Sequence, residues 1–393
     1  MSAPLHGIRV IDLTVAAAGP YATTILAEQG ADVIKVERPG SGDFMRSLGT
    51  MHNGVTGVFA GFNRGKRAIA LDLKHPEGLA LLHRLVATAD VLVHNLRPGV
   101  DARIGVDVDA LRAINDTLVY VSITGYGLVG PYAQRPAYDS VMQASSGLAA
   151  HQADASGQPQ LIRNAICDKM TALTAAQLIT AALLARERGD GAAHVHVSML
   201  HAAIAFLWPD GMQDVTFLDA APRDKTARAT SPPIRRTADG YISITTLLDR
   251  EFTALCEILG LASLLTDERF ANPGDRSRNA DLLHPIVNDE LLRWSTDELA
   301  ARLEEEGVPH AVVNFVDRIH EDPQVVALGL LAEVEHPEAG HMRVPRPAGE
   351  FDGMPFDNGA LAPRLGQHTD EVLHELGIDS VARDDLRDRG IIA

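Results

Sequence analysis

The sequence IRVIDL at residues 8–13 predicts a buried β-strand, because four of its six side chains are apolar and the run has the length of a strand. A helical stretch then opens at Gly19-Pro20 and ends before Gly30. The sequence DVIKV at residues 32–36 predicts the next strand. A strand, a helix and a second strand in this order predict a βαβ unit, and hence a parallel sheet.

The same alternation continues through the first half of the chain. Its further elements are predicted as a helix over 76–89, a strand over 91–93, a helix over 108–114, a strand over 118–123, a helix over 168–186 and a strand over 194–199. Strands that alternate with amphipathic helices predict an α/β fold with a doubly wound parallel sheet. A smaller α/β unit follows, with elements predicted over 241–245, 250–259, 296–305 and 311–315.

A chain of 393 residues exceeds what one hydrophobic core usually serves. We therefore expect a large domain that begins with residues 1–208 and a small α/β domain in residues 237–330. Residues 209–236, where prolines accumulate, are predicted to link the two. Residues 331–393 are predicted to return to the large domain.

Composition limits the partners of the protein. The formal net charge of -17 argues against nucleic acid and against an anionic membrane surface, since both attract basic proteins. Cys167 and Cys256 are the only cysteines, which excludes a disulfide framework and fits a reducing compartment. Residues 1–20 lack the basic segment of a signal peptide, and the apolar runs are too short to cross a bilayer. We expect a cytoplasmic protein that binds neither membranes nor nucleic acid.

Charge between Lys35 and Arg103 has the opposite sign, with ten Lys or Arg against six Asp or Glu, a net +4. After the second strand, ERPG at residues 37–40 places Arg38 where nucleotide-binding folds hold a ribose phosphate. Because no G-x-G-x-x-G follows the first strand, the residues favour coenzyme A, which carries a phosphate on its ribose, over NADP. A solvated surface of mixed charge, with an arginine packed over the sheet edge, remains the alternative.

Asp168 opens a long helix, and two interpretations compete. The aspartate could cap the helix. It could also be a nucleophile that the positive end of the helix dipole keeps ionised. Cys167 is a less suitable nucleophile, because no base is evident beside it. Asp139 follows Tyr138 at the start of another helix, which it could cap in the same way.

Two further groups of polar residues lie near predicted strands. The sequence NLRPG at residues 95–99 follows a strand directly, at the end of a parallel sheet where ligands bind. His194 and His196 lie two residues apart and face the same side of a strand. Because no acidic residue or cysteine accompanies them at a matching spacing, we predict no metal site.

Taken in order, several segments resemble the class III CoA-transferase family, the CaiB–BaiF group, over nearly the whole chain. The matching segments are GP at 19–20, ADVIKVERPG at 31–40, NRGKR at 63–67, LDLKHPEG at 71–78, NLRPG at 95–99 and GQHT at 366–369.

The resemblance implies an interlocked homodimer with a Rossmann-like large domain built from both ends of the chain. It implies transfer of coenzyme A from an acyl-CoA to a carboxylic acid, with CoA as co-substrate and no metal. Asp168 matches the catalytic aspartate, which would pass through an acyl-aspartyl anhydride and an aspartyl-CoA thioester, and Tyr138 would position the acyl group. The positions assigned to CoA binding are Ala17, Arg38, Leu71, Asp72, Leu73, Lys74, Asn95, Leu96, Arg97 and Arg103.

Departures from the family pattern argue against some substrates, and other functions remain as alternatives. Ala17 stands where formyl-CoA transferases carry glutamine, which argues against formyl-CoA and oxalate as substrates. His94 and Leu96 replace a glutamate and a phenylalanine. An α-methylacyl-CoA racemase is the alternative within the family, but Tyr138 stands where racemases carry histidine, and tyrosine is a poor base near neutral pH. A catalytically silent CoA-binding protein is an alternative from another class. An NADP-dependent oxidoreductase would need the missing glycine loop.

Overall fold

The computed structural model describes residues 3–154, 156–218, 233–351, 354–355 and 361–393. The chain divides into two compact units. The first unit comprises Met1–Gly211 and Gly329–Ala393, and the second comprises Met212–Leu328. Among the described residues, no helix is both long enough and apolar enough to span a bilayer.

Six parallel strands form the central sheet of the first unit. They are β1 (Arg9–Asp12), β2 (Asp32–Glu37), β3 (Arg67–Ala70), β4 (Val91–His94), β5 (Val119–Thr124) and β6 (His194–Ser198). Their order across the sheet is β3-β2-β1-β4-β5-β6, and every neighbouring pair is parallel. This is the doubly wound order, in which the chain reverses direction across the sheet between β1 and β4.

The helices of the first unit connect and flank these strands. They are α1 (Ala18–Glu28), α2 (Gly57–Asn63), α3 (Pro76–Val86), α4 (Val100–Arg103), α5 (Val108–Arg112), α6 (Asp139–Ser145), α7 (Leu148–His151), α8 (Ile166–Glu187) and α9 (Met199–Gly211). Two more, α16 (Thr369–Glu375) and α17 (Ser380–Asp388), follow the second unit.

Alternate side chains of the sheet enter two different cores. In β1, Ile11 packs in a cluster with the apolar faces of α3, α5, α16 and α17. Val10 points to the other face and packs against α1 and α8. Because successive side chains of a strand point to opposite faces, β1 is covered on both sides and nearly all of its residues are buried.

Local sequence explains why α3 begins where it does. Pro76 stands in the first turn, where a missing N–H costs nothing, and the His75 ring accepts a hydrogen bond from the Glu77 N–H. Leu81, Leu82 and Leu85 share the face that packs on the sheet.

The second unit is built around a short antiparallel sheet of β7 (Arg235–Arg236), β8 (Tyr241–Ile244) and β9 (His310–Val312). Its helices are α10 (Gln213–Thr216), α11 (Asp249–Ile258), α12 (Pro273–Arg278), α13 (Ala280–Leu291), α14 (Thr296–Glu305) and α15 (Pro323–Ala327). The chain then re-enters the first unit through a hairpin of β10 (Leu331–His336) and β11 (Gly340–Pro345).

The predicted α/β class with a parallel sheet is confirmed, whereas several predicted boundaries are wrong. The long helix begins at Ile166 rather than Asp168. The strand predicted over 311–315 is His310–Val312, which pairs with Ile242–Ile244 of β8. Pro209, predicted to begin the linker, lies in the last turn of α9. Residues 219–232 of that linker lie outside the described residues.

Gly78 and Gly61 provide a test of the packing. A Cβ at Gly78 in α3 would lie 2.2 Å from the Asp72 carbonyl oxygen, whereas a Cβ at Gly61 in α2 would meet no atom within 4 Å. We expect Gly78→Ala to lower the free energy of unfolding by about 1–3 kcal/mol through overpacking. Gly61→Ala, the matched control, should be neutral or stabilising by up to about 1 kcal/mol. Urea denaturation of both variants checks this, and equal changes would contradict the close contact at Gly78.

Candidate active site

The crevice at the reversal point of the sheet is framed by the 13–17 loop after β1 and by Asn95 after β4. The Val15 N–H donates to Asn95 Oδ1 over 3.0 Å, and Asn95 Nδ2 donates to the Val15 carbonyl oxygen over 2.7 Å. This reciprocal pair joins the two loops that leave neighbouring strands in opposite directions. Ligands of doubly wound folds bind in this crevice.

A cleft of about 430 Å³ opens here within the first unit. Of the residues selected from the sequence, the structure brings five together in its wall, namely Asn95, Leu96, Arg97, Tyr138 and Asp168. The lining also includes residues from the loop after β1, from the end of β5, from the segment before α6 and from two other parts of the unit: Val15, Ala16, Ala18, 123–125, Ala133, 135–137, Phe44, Met45, Leu48, Pro98 and Met199. The cleft therefore combines an apolar wall with one carboxylate and two arginines, Arg97 and Arg135.

Asp168 is the carboxylate in this cleft, and it lies in the first turn of α8. Burial raises the pKa of the Asp168 carboxyl to about 7, and the negative charge of Asp139 adds to the increase. The backbone N–H of Ala18, at the start of α1, donates to the Asp168 carboxylate and opposes the shift. The expectation that the helix dipole keeps this group fully ionised is therefore wrong, because desolvation outweighs it.

The capping interpretations of Asp168 and Asp139 are also wrong. Ala165 occupies the N-cap position of α8, and Tyr138 occupies that of α6. Instead, Asp139 Oδ1 accepts a hydrogen bond from the Asp168 N–H over 3.1 Å, so the carboxylate of one helix serves the first turn of the other. The sequence gives no signal for this contact, since the two residues lie 29 positions apart.

Gln143, which the sequence did not single out, fixes the approach to α8. Its Nε2 donates to Asp139 Oδ2 over 2.6 Å and to the Ile162 carbonyl oxygen over 3.1 Å. Its Oε1 accepts from the Ile162 N–H over 2.9 Å. A buried amide that is satisfied on both ends holds the segment before α8, and hence the position of Asp168.

Cys167 is unsuited to be the nucleophile. Its side chain is fully buried, and burial together with the charges of Asp139 and Asp168 raises the pKa of the thiol to about 12. A thiol that stays protonated near neutral pH and lacks access to solvent has a packing role.

Tyr138 and Arg135 project from the segment before α6. The Tyr138 side chain is 62% exposed and lines the cleft beside Asp168. The Arg135 guanidinium lies 3.8 Å from the ring centroid of Tyr132, which is oriented by an edge contact with Tyr126. Arg135 lines the cleft, and no ion pair of Arg135 occurs among the described residues.

The other residues assigned to CoA binding lie outside the lining of the cleft. The Leu71 side chain is buried in the core, and Ala17 is buried with Met45 and Phe59. Asp72 accepts a hydrogen bond from the Lys74 N–H, and Leu73 packs against the core. The remaining side chains, Arg38, Lys74 and Arg103, are exposed.

The histidines near the sheet make contacts within the sheet. His194 Nε2 lies 3.1 Å from Ser122 Oγ, and His196 Nε2 lies 2.9 Å from Thr124 Oγ1. His94 is buried beside Tyr120, and burial lowers the pKa of its ring to about 4. No cluster of three or more metal-binding side chains occurs among the described residues.

Comparison with known proteins identifies the class. Residues 5–369 match the family described as CoA-transferase family III. The chain is 35% identical to the succinate–glutarate CoA-transferase of Agrobacterium fabrum over 382 residues, which cover 95% of this chain and 96% of that protein. It is 33% identical to the succinyl-CoA:glutarate CoA-transferase of Homo sapiens, over 99% of this chain and 90% of that protein.

A solved structure agrees with these relatives. The crystal structure of a CaiB/BaiF family protein from Brucella suis is similar at a TM-score of 0.83 and 32% identity, over 96% of this chain and all of that chain. The protein is a CoA-transferase that uses coenzyme A as co-substrate. It belongs to CoA-transferase family III, as the resemblance in its sequence indicated.

The raised pKa of Asp168 predicts how stability depends on pH. Above the ordinary pKa of 3.8, the unfolded chain loses this proton while the folded chain keeps it up to about pH 7. Wild-type stability should therefore fall relative to Asp168→Asn as pH rises through this window, and the difference should then stay constant. We expect a relative change of about 1–4 kcal/mol. Denaturation midpoints of the two proteins across the window check this; parallel curves would show that Asp168 is not desolvated.

Proposed function

We propose that this CoA-transferase moves coenzyme A from a dicarboxylic acyl-CoA to a dicarboxylic acid, with Asp168 as nucleophile. The observation that carries the proposal is the position of Asp168, a partly desolvated carboxylate in a cleft at the carboxyl ends of parallel strands. Desolvation makes a carboxylate more reactive once it is ionised, because the water that would stabilise its charge is gone. Relatives named for succinate and glutarate support the dicarboxylate class.

The reaction proceeds through two kinds of covalent intermediate. The ionised Asp168 attacks the thioester carbonyl, a C–O bond forms, the C–S bond breaks, and an acyl-aspartyl anhydride and CoA thiolate result. The thiolate then attacks the aspartyl carbonyl, which gives an aspartyl-CoA thioester and releases the first carboxylic acid. The acceptor carboxylate reverses both steps and regenerates free Asp168. The Ala18 N–H, which already meets the carboxylate, stabilises negative charge on the aspartyl oxygen.

Tyr138 and the CoA-binding residues complete the proposal. The exposed Tyr138 hydroxyl positions the acyl group by a hydrogen bond, a role that requires no ionised tyrosine. Asn95, Leu96 and Arg97 contact the coenzyme in the cleft. The more distant set lies nearer the nucleotide portion, which would be bound by the exposed basic side chains of Arg38, Lys74 and Arg103. Ala17 and residues 71–73 belong to this set by their position in the sequence.

Arg135 is proposed to bind the distal carboxylate of the substrate. Its guanidinium is fixed against the Tyr132 ring, and it lines the same cleft as Asp168. A planar guanidinium without a partner suits a carboxylate, which it can meet with two parallel hydrogen bonds. Binding the far end of a dicarboxylate at Arg135 would leave its near end for the Asp168 chemistry.

We also propose a cytoplasmic homodimer. Apolar side chains on consecutive helices are exposed in the single chain, including Leu173 and Leu184 of α8 and Phe206 and Trp208 of α9. Large apolar side chains that are exposed in this way favour association with a second copy. Both described cysteines are buried free thiols, which agrees with a reducing compartment.

The nucleophile can be tested by trapping. Asp168→Asn should fold and lose transfer activity by about a thousandfold or more, because no covalent intermediate can form. Cys167→Ala, a change at the neighbouring residue, should retain most of the activity. With succinyl-CoA and hydroxylamine, the wild type and Cys167→Ala should acquire an aspartyl hydroxamate at Asp168, found by peptide mass spectrometry. Turnover by Asp168→Asn at the wild-type rate, or a label elsewhere, would refute the assignment.

The role of Arg135 can be tested by acceptor choice. Arg135→Met should lower kcat/KM for glutarate by about tenfold to a hundredfold, as expected for the loss of one charge-assisted interaction. Valerate, a monocarboxylic acid with the same number of carbon atoms, should change by less than about threefold. Arg135→Lys should retain part of the preference, since it retains the charge. Equal losses for both acids would exclude a contact with the distal carboxylate.

A further inference from the structure

A buried ion pair lies behind the 13–17 loop. Lys35 in β2 and Asp43 are joined by 3.1 Å between Nζ and Oδ2, and both side chains are completely buried. Apolar side chains of similar volume would fill such a site without the loss of hydration that two buried charges suffer. The contacts of the pair with the 13–17 loop indicate that the two charges hold the loop in place.

Each member of the pair holds a different backbone group of the loop. Lys35 Nζ donates to the Thr14 carbonyl oxygen over 2.9 Å. Asp43 Oδ1 accepts from the Ala16 N–H over 3.3 Å and from the Met45 N–H over 3.0 Å. The ion pair thus holds two backbone groups of the loop and fixes the loop to β2.

A second buried pair holds the beginning of the loop. Asp12 Oδ1 accepts from the Thr14 N–H over 2.8 Å and from the Thr14 hydroxyl over 2.5 Å. Asp12 Oδ2 accepts from Lys66 Nζ over 2.9 Å and from the Thr23 hydroxyl over 2.7 Å. Together with Asn95, the two pairs satisfy backbone groups of Thr14, Val15 and Ala16 in succession.

The loop needs such support because of its conformation. Ala16 has a φ of 70°, a left-handed conformation that a residue with a Cβ rarely adopts. Two residues later the chain enters α1, and the first N–H of that helix, from Ala18, donates to the Asp168 carboxylate. A relaxed Ala16 would therefore redirect the N–H that meets Asp168.

We infer that Lys35 and Asp43 are positioning residues for acyl transfer: their ion pair fixes the 13–17 loop so that the Ala18 N–H faces Asp168. The inference rests on the proposed function, since Asp168 is the group that the loop serves. Neither side chain lines the cleft, so the pair acts on the reaction through the loop backbone. Displacement of a stabilising donor by about 1 Å is enough to slow a reaction about a hundredfold.

The experiment compares two variants with the wild type. Lys35→Met leaves Asp43 unpaired and risks misfolding, so Lys35→Met/Asp43→Asn, which buries no charge at this position, is prepared as well. The release of CoA thiol from succinyl-CoA is measured by rapid mixing, against substrate concentration and against pH. We expect the acylation rate to fall about tenfold to a hundredfold, with KM changed by less than about threefold.

The pH at which the acylation rate is half-maximal provides a second measurement. A smaller amount of folded protein would lower the rate but would not shift this midpoint. Besides the Ala18 N–H, Asp139 of α6 and the Cys167 thiol face Asp168. Without the Ala18 hydrogen bond the ionised form of Asp168 is less favoured, so the midpoint of acylation should move to higher pH. The control is Arg64→Met/Glu28→Gln. This variant removes an ion pair between α1 and the end of α2 that does not contact the 13–17 loop. It should keep both the acylation rate and the pH midpoint of the wild type.

The outcomes separate this inference from the proposed function. Hydroxylamine trapping at Asp168 gives the number of active sites in each preparation. Loss of rate that is fully explained by fewer sites, with an unchanged midpoint, would reduce the pair to a structural role and overturn the inference. Wild-type rates and midpoint in the double variant would overturn it as well. Failure of the wild type to label Asp168 would instead refute the proposed nucleophile.

Discussion

Parallel pairing of β1 with β2 on one side and with β4 on the other is the constraint from which the site follows. The loops that leave β1 and β4 pass to opposite faces of the sheet, so they cannot pack over the strand ends and a crevice stays open between them. The reciprocal hydrogen bonds of Val15 and Asn95 join the two loops across the crevice. Helices α1 and α8 pack on the same face of the sheet, which brings their first turns, with Ala18 and Asp168, together at this opening.

A carboxylate in that position experiences opposing effects on its ionisation. Burial and the nearby Asp139 disfavour the ionised form of Asp168, whereas the Ala18 N–H favours it. Although its charge opposes ionisation of Asp168, Asp139 orients α8 through the Asp168 N–H and through Gln143. The same residue therefore holds Asp168, the proposed nucleophile, in place and raises its pKa toward neutrality. Active sites commonly concentrate such conflicts, since the structure around them is over-determined.

The sequence predicted the fold well, and some of the residues it singled out line the candidate cleft, for physical reasons. Strand and helix periodicities are local, so the βαβ order could be predicted, and Asp168, Tyr138 and NLRPG at 95–99 were predicted to be near a ligand. The contact of Asp139 with the start of α8 joins distant segments, and no local pattern encodes it. Lys35 in the strand DVIKV was a visible signal, a charge within a buried strand, but its partner Asp43 lies on a loop whose path the sequence does not specify.

The structure also explains why no G-x-G-x-x-G sequence is needed after β1. In dinucleotide-binding folds the first helix directs its N–H groups at a pyrophosphate, and glycines allow the ligand to approach the backbone. Here the N-terminus of α1 meets a carboxylate of the protein itself, that of Asp168 in α8. Because this carboxylate is on a side chain that reaches the helix, no glycines are needed to let a ligand approach the backbone. Gly19, in the first turn of α1, makes room for Thr14, whose Cβ would lie 2.4 Å from an added methyl group. Asp12 and Lys35 hold Thr14 in place, so Gly19 allows the buried charges to fix the loop. The N-terminus of α1 is then free to meet Asp168, the proposed catalytic carboxylate.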